Sequence, residues 1–161
     1  MIPDKSWFRG LAATFGLFLV AGVAGDVRAS NTGVGVIVGE PTGLSLKQWT
    51  GGSKAFDAAA AWSFVDEGAL HLHADYLWHW FDRVEGVEGG SLPLYMGLGG
   101  RIKFGEDDEL IGVRVPFGVN FILDDAPVDI FLEIVPILDL APESDLQINA
   151  ALGARFWFDG D

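Results

Sequence analysis

Asp145-Leu146-Gln147-Ile148-Asn149-Ala150-Ala151-Leu152-Gly153-Ala154-Arg155-Phe156-Trp157-Phe158 alternates with hardly a break. In an extended chain Leu146, Ile148, Ala150, Leu152, Ala154, Phe156 and Phe158 share one face, and Gln147, Asn149, Gly153 and Arg155 share the other. A period of two is the mark of a strand with a single apolar face. The pattern recurs upstream. Val128, Ile130, Leu132, Ile134 and Leu138 oppose Asp129, Glu133 and Asp139. Ile111, Val113, Val115, Phe117, Val119 and Phe121 oppose Gly112, Arg114, Pro116, Gly118 and Asn120. Phe56, Ala58, Ala60, Trp62 and Phe64 oppose Asp57, Ala59, Ala61 and Ser63. Leu70, Leu72, Ala74, Tyr76, Trp78 and Trp80 oppose His71, His73, Asp75 and His79.

Clusters of Gly, Pro, Asp and Ser punctuate these runs, as turns require. They divide the chain into eight expected strands: Thr32–Gly39, Gly43–Thr50, Lys54–Phe64, Ala69–Phe81, Leu92–Phe104, Leu110–Leu123, Val128–Leu140 and Asp145–Phe158. Most connections are three to five residues long. The longest, Asp82 to Ser91, falls where a periplasmic turn is expected if both termini are periplasmic, although such turns are usually short. An even number of strands near ten residues each, joined by short hairpins, is the pattern of a small membrane barrel.

Composition agrees. The 161 residues are 50% hydrophobic and 20% charged, with a net charge of −13 and no Cys. One domain fits this length. A chain this apolar is not disordered, and its acidity excludes a nucleic-acid partner, which needs a basic patch. Without Cys there is neither a disulfide scaffold nor a thiolate site. Lys5 and Arg9, the apolar run Leu11 to Val23 and the small-residue end Val27-Arg28-Ala29 read as a secretory signal peptide over residues 1–29. The barrel domain is then 30–161. Its 7 basic and 21 acidic side chains give a net charge of −14.

Alternation alone fits a soluble lipocalin-like carrier, apolar inside, or a membrane barrel, apolar outside. Three features favour the second. Small residues (Ala59, Ala61, Gly97, Gly99, Gly112, Gly118, Gly153) crowd the polar face, as a narrow interior demands. Aromatics (Trp62, Phe64, Trp78, Trp80, Phe104, Phe156, Phe158) gather near strand ends, where a membrane girdle sits. Lys47, Arg101, Lys103, Arg114 and Arg155 balance Asp57, Asp75, Asp129, Glu133 and Asp139 on the polar face, leaving the excess acid to loops and termini. A poorly hydrated interior requires that balance, because an unpaired buried charge costs several kcal/mol. The expected fold is an all-β, eight-stranded, antiparallel up-and-down transmembrane β-barrel.

The signal peptide, eight alternating strands and aromatic last strand resemble small OmpA- and OmpX-type outer-membrane barrels. Gly33 to Ser45, Leu70 to Trp78 and Pro127 to Glu133 are similar to a family of short bacterial outer-membrane barrels of unknown function. Some spirochaetal members of that family are described as host-factor-binding surface proteins. Gly153-x-x-Phe156-x-Phe158 resembles the aromatic signal read by the barrel assembly machinery, although Ala151 replaces a polar residue and Asp159-Gly160-Asp161 follows the usual terminal Phe. The resemblance implies outer-membrane lipid, lipopolysaccharide and the assembly machinery as partners, a host or envelope protein as a further one, and no specific activity.

The strongest candidate for chemistry is His71, His73 and Asp75, with His79 beyond, on one strand face. Imidazole and carboxylate at that spacing can bind zinc or move protons. They can equally serve as hydrogen-bonding scaffold, with Asp75 paired to a cation such as Arg101. Two ligands on one strand are half a zinc site, so the expectation is scaffold, with no metal and no cofactor. Arg114, Glu133 and Arg155, inward on consecutive strands, are expected to form one ion network. Ser45 and Ser63 lack a nucleophile motif, and Gly97-x-Gly99-Gly100 precedes a strand, so it is no phosphate loop. Glu106-Asp107-Asp108-Glu109 reads as a solvated acidic loop that lacks the ligand spacing of an EF-hand. The expected function is non-enzymatic, structural or surface-exposed, in the cell envelope. A periplasmic small-ligand carrier is the alternative and an outer-membrane lipid-modifying enzyme the third reading.

Overall fold

The computed structural model describes residues 31–63, 69–105 and 109–158. The signal peptide, Phe64, the acidic residues Glu106 to Asp108 and the tail Asp159-Gly160-Asp161 lie outside them. The described residues form ten strand segments: β1 (Thr32–Glu40), β2 (Thr42–Gly51), β3 (Lys54–Trp62), β4 (Leu70–Trp80), β5 (Gly90–Ser91), β6 (Leu94–Phe104), β7 (Glu109–Arg114), β8 (Phe117–Leu123), β9 (Val128–Ala141) and β10 (Asp145–Phe158). Every pairing is antiparallel, and β10 pairs with both β9 and β1, which closes the sheet.

Ten segments make eight continuous staves. β7 and β8 pair with β6 in one register, from Gly99↔Arg114 to Leu94↔Val119, and with β9 in another, from Val113↔Leu138 to Phe117↔Ile134. β5 extends β6 in the same way, with Ser91 opposite Ile122. The expected strand Leu110–Leu123 is thus one stave interrupted at Pro116, and Leu92–Phe104 is one interrupted at Pro93. The cause is the same in both: proline has no N–H to donate to a ladder. Half of each rung survives, since Gly97 N donates to Pro116 O (2.9 Å) and Asn120 N donates to Pro93 O (2.9 Å). A third half-rung joins Val115 N to Pro136 O at 3.0 Å. Because Gly90-Ser91 already pairs, the long connection is shorter than Asp82 to Ser91 suggested.

The stagger of the barrel follows from the pairing. Phe158 leads through Thr32, Gln48, Phe56, Tyr76 and Leu98, then across Val115 to Pro136 and Ile148, back on β10 ten residues from the start. With ~3.3 Å per residue and ~4.8 Å between strands, that stagger tilts the staves by about 40° and gives a backbone radius of about 8 Å. Such an interior is filled by side chains.

Alternation directs the faces. Val36, Leu44, Leu98, Ile134 and Leu152 point outward and are exposed, while Lys47, Asp57, Arg101, Arg114 and Arg155 point inward and are buried. A small apolar cluster of Ile37, Ala59 and Phe131 sits inside among them. Both described ends, Thr32 and Phe158, lie at one end of the barrel, together with the β2–β3, β4–β5 and β8–β9 connections. Outward aromatics gather there: Tyr76 meets Trp78 edge-on at 4.9 Å between ring centroids, and Phe156 meets Phe158 at 5.3 Å.

The β2–β3 hairpin turns on Gly51 and Gly52, and Gly52 has φ +56° with no neighbour near its absent Cβ. Gly52→Ala is therefore expected to cost about 1 kcal/mol, from backbone preference alone. Urea unfolding in detergent micelles measures it, and a loss above roughly 3 kcal/mol would show that the turn carries further contacts.

Candidate functional site

Among the described residues, nine charged side chains are buried in the barrel: Lys47, Arg101, Arg114 and Arg155 with Asp57, Asp75, Asp129, Glu133 and Asp139. Lys103 and His73 are half-buried. Three ion clusters result, one centred on each arginine.

Nearest the end opposite the termini, Arg101 grips Asp139 with two parallel hydrogen bonds, Nε to Oδ1 at 3.0 Å and Nη2 to Oδ2 at 2.6 Å. Nη2 also donates to Gln147 Oε1 at 3.0 Å. At mid-barrel, Arg114 lies 2.9 Å from Asp75 through Nε and donates from Nη2 to Glu133 Oε1 at 3.1 Å. The Tyr95 hydroxyl donates to the other Glu133 oxygen at 2.8 Å. Toward the termini, Arg155 donates from Nε to Ser45 Oγ at 3.1 Å and faces Asp57 and Asp129 at 3.3 and 3.8 Å. Its guanidinium stacks 3.9 Å above the Phe131 ring. Asp129 also accepts from Trp157 Nε1 at 3.1 Å and Asn120 Nδ2 at 3.3 Å.

Two expected pairings are corrected. Asp75 binds Arg114 rather than Arg101, which takes Asp139 instead. Arg155 does not join Arg114 and Glu133, because Asp57 and Asp129 are its neighbours.

One rule organises the clusters. Asp75, Gly99 and Arg114 stand in register on three neighbouring strands. So do Arg101, Gly112 and Asp139, Tyr95, Gly118 and Glu133, and Arg155, Gly35 and Ser45. Each of these four contacts passes over a glycine on the strand between. A Cβ at Gly99 would strike the Asp75 carboxylate, one at Gly112 would press on Asp139, and one at Gly118 would strike the Tyr95 ring. The glycines are windows through which side chains two strands apart meet. Gly97 and Gly99 therefore serve packing, whereas the Gly100 side of the strand is open.

The remaining groups lie at the ends. Lys47 Nζ sits 2.8 Å from His79 Nε2, and the other ring nitrogen of His79 lies 3.2 Å from Ser53 O. Trp49 and Tyr95 cover the ammonium at 4.8 and 5.2 Å. Sequence reading missed this aromatic cap, because Trp49, Tyr95 and Trp157 fall on the polar face of their strands, where alternation marks no aromatic cluster. His71 is buried opposite Ala61 and Lys103, and His73 opposite Ala59 and Arg101. The group with metal-ligand proximity is Asp57, His73 and Asp75, whose ligand atoms lie within 4.8 Å of one another. His71 is not part of it. Ligands on tetrahedral zinc stand about 3.3 Å apart, given bonds near 2.0–2.1 Å, and both carboxylates already face arginines. The arrangement suits scaffold better than metal binding. In the Gly153-x-x-Phe156-x-Phe158 motif, Gly153 is buried beneath the Phe131 ring, and Phe156 and Phe158 are exposed outward.

A solved structure shares this architecture. The N-terminal β-barrel domain of Pseudomonas aeruginosa OprF matches with a TM-score of 0.65 at 12% identity, over 80% of this chain and 98% of that one. Neisserial surface protein A matches with a TM-score of 0.45 at 12% identity, over 80% and 94%. No family model matches the chain, and no curated protein sequence matches it significantly. The OprF likeness shows a shared fold, the eight-stranded barrel of outer-membrane proteins.

Removing the Glu133 carboxylate withdraws one partner of Arg114 and the acceptor of Tyr95. Glu133→Ala is expected to cost about 3–5 kcal/mol in detergent unfolding, and a change below roughly 0.5 kcal/mol would mean that the carboxylate faces water. Gly99→Ala should destabilise by about 1–3 kcal/mol through overpacking, with no change in charge. Replacing His71 and His73 together by Gln should cost about 1–2 kcal/mol through lost hydrogen bonds. Zinc should leave the unfolding midpoint of the parent unmoved; a zinc-dependent rise abolished in the double variant would establish a metal site.

Proposed function

We propose that this chain is an integral outer-membrane β-barrel, delivered by a cleaved N-terminal signal peptide, with a structural or surface-exposed role and no catalytic activity. One observation carries the reading. The apolar side chains line the outside of a closed barrel and the buried charges line the inside. In water that arrangement would be inverted. Against hydrocarbon it is required, since a lipid-facing charge is costly and an open strand edge is not tolerated. The same inversion counts against a lipocalin-like carrier, whose apolar face would line a ligand cavity.

The interior supports a plug rather than a channel. Arg101, Arg114 and Arg155 each reach carboxylates two or three staves away and fill the bore at successive heights. Lipid and lipopolysaccharide are the partners of the outer face, and Gly153, Phe156 and Phe158 would present the chain to the assembly machinery. A host or envelope partner has only the connections to bind, and the described ones are short, apart from 81–89. If the termini are periplasmic, that connection is periplasmic too.

Intact barrels migrate faster in unboiled gel samples than after boiling. Membrane fractionation combined with such a gel should place the chain in the outer membrane, with a heat-modifiable band. Recovery of folded monomer from the soluble periplasm without detergent would overturn the reading.

A further inference from the structure

The barrel wall is uneven in height. β1 pairs with β10 over Thr32–Glu40 and Ala150–Phe158, and Asp145 to Asn149 then continue upward with only β9 beside them. Correcting five residues for tilt and stagger puts the β9–β10 hairpin roughly 10 Å above the β1–β2 hairpin. The extra height is apolar on its outer face: Leu140 is 52%, Leu146 68% and Ile148 71% exposed.

The low wall is also trimmed at the other end. Gln48, Thr50 and Lys54 occupy outward positions near the termini, where the taller β9–β10 wall carries Val128, Phe156 and Phe158. On β9 and β10 outward apolar residues run from Val128 to Leu140 and from Leu146 to Phe158. On β1 they span Val34 to Val38, on β2 Leu44 to Leu46, and, among the described residues, on β3 Phe56 to Trp62. At about 2.5 Å of height per residue, after tilt, the apolar belt is about 30 Å tall at β9–β10 and about 15 Å tall over the described residues of β1–β3. Membrane barrels present a belt near 25 Å.

Resting on the outer-membrane reading above, we propose that the β1–β3 wall is a membrane-thinning face, whose lipid partners must draw both headgroup layers inward to match a belt about half the usual height. Bilayers meet a short apolar stretch by thinning locally. A rigid eight-stranded barrel cannot lengthen the stretch instead. Tilting the whole barrel would not equalise the two walls, because the belts of β1 and β2 are short at both ends, stopping at Thr32 and Glu40 on β1 and at Thr42 and Gln48 on β2, and the tall wall is long.

The test compares two positions at one height. Ile130, Ala154, Val36 and Leu44 form one line of paired residues. The level plane falls about 1.25 residues per strand below that line, which puts Gln48 on β2 level with Ile130 on β9. The chain has no Cys, so Gln48→Cys and Ile130→Cys each take a single NBD dye. Both full-length barrels are refolded into vesicles of phosphatidylcholine with 14-carbon chains, and quenching by nitroxide placed mid-chain is measured alongside quenching by aqueous iodide. The expected result is strong lipid quenching at Ile130→Cys, with several-fold weaker lipid quenching and strong iodide quenching at Gln48→Cys. Equal lipid quenching at both positions would overturn the thinning proposal and keep the membrane reading. No lipid quenching at either would overturn the membrane reading itself. An unlabelled check uses Gln48→Leu, which lengthens the belt on β2. It should raise the folded fraction in vesicles of 18-carbon chains and leave it unchanged with 12-carbon chains, and equal folding of parent and variant in both would also count against thinning.

Discussion

Eight staves closed with a stagger of ten residues leave an interior about one side chain deep on each side. Everything inside answers to that limit. Charged residues cannot be hydrated there, so each must find its partner within reach, and direct cross-strand neighbours are not always the partners chosen. Lys47 stands opposite Asp57, and Asp57 opposite Asp75, yet Asp75 binds Arg114 on the far side of β6. That reach exists because Gly99 lies between them. Gly112, Gly118 and Gly35 do the same for the other contacts. Where a small residue falls in the weave decides which charges meet, and the charges in turn reject any register that would separate them.

Buried ion pairs are weak evidence of net stability, because desolvation offsets much of their attraction. Their effect here is on specificity. A slip of one residue would send Arg155 and Asp129 into the lipid and Phe156 into the bore. The bidentate grip of Arg101 on Asp139 and the stacking of Arg155 on Phe131 add directional demands that a layer of interchangeable aliphatic side chains would not make. An interior of this kind narrows the set of acceptable pairings while the outer face, mostly apolar, imposes little.

Period-two alternation made the fold class and the facing of Arg114, Glu133, Asp129 and Arg155 legible, because facing is a local property. Partnership was not. Assigning Asp75 to Arg101 rather than to Arg114 failed because it depends on the register of β4, β6 and β7, which hairpin lengths determine and alternation does not. Glycine in the polar face could be read as a sign of crowding, but its role as a gap between specific partners appears only when three strands are aligned. Pro93 and Pro116 left the stave count intact and broke the segments, since a missing N–H interrupts a ladder without turning the chain. Trp49, Tyr95 and Trp157 escaped notice because an inward aromatic disturbs the alternation that identifies strands.

The three half-rungs at Pro93, Pro116 and Pro136 bear on how the wall resists deformation. A barrel is commonly pictured as weakest where its first and last strands meet. Here that junction is laced without a shift from Thr32↔Phe158 to Glu40↔Ala150. Three rungs that lack a donor fall two or three staves away, between β5–β6 and β9, and a fourth, Trp157 N to Pro127 O at 2.8 Å, lies at the foot of the β9–β10 ladder. Strain applied to the cylinder, whether from lateral pressure in a bilayer or from pulling at the termini, concentrates along that proline line and spares the closing seam. Among the described residues the panel from β6 to β9 thus carries the most donor-less rungs, while the height of each stave stays fixed by its own length.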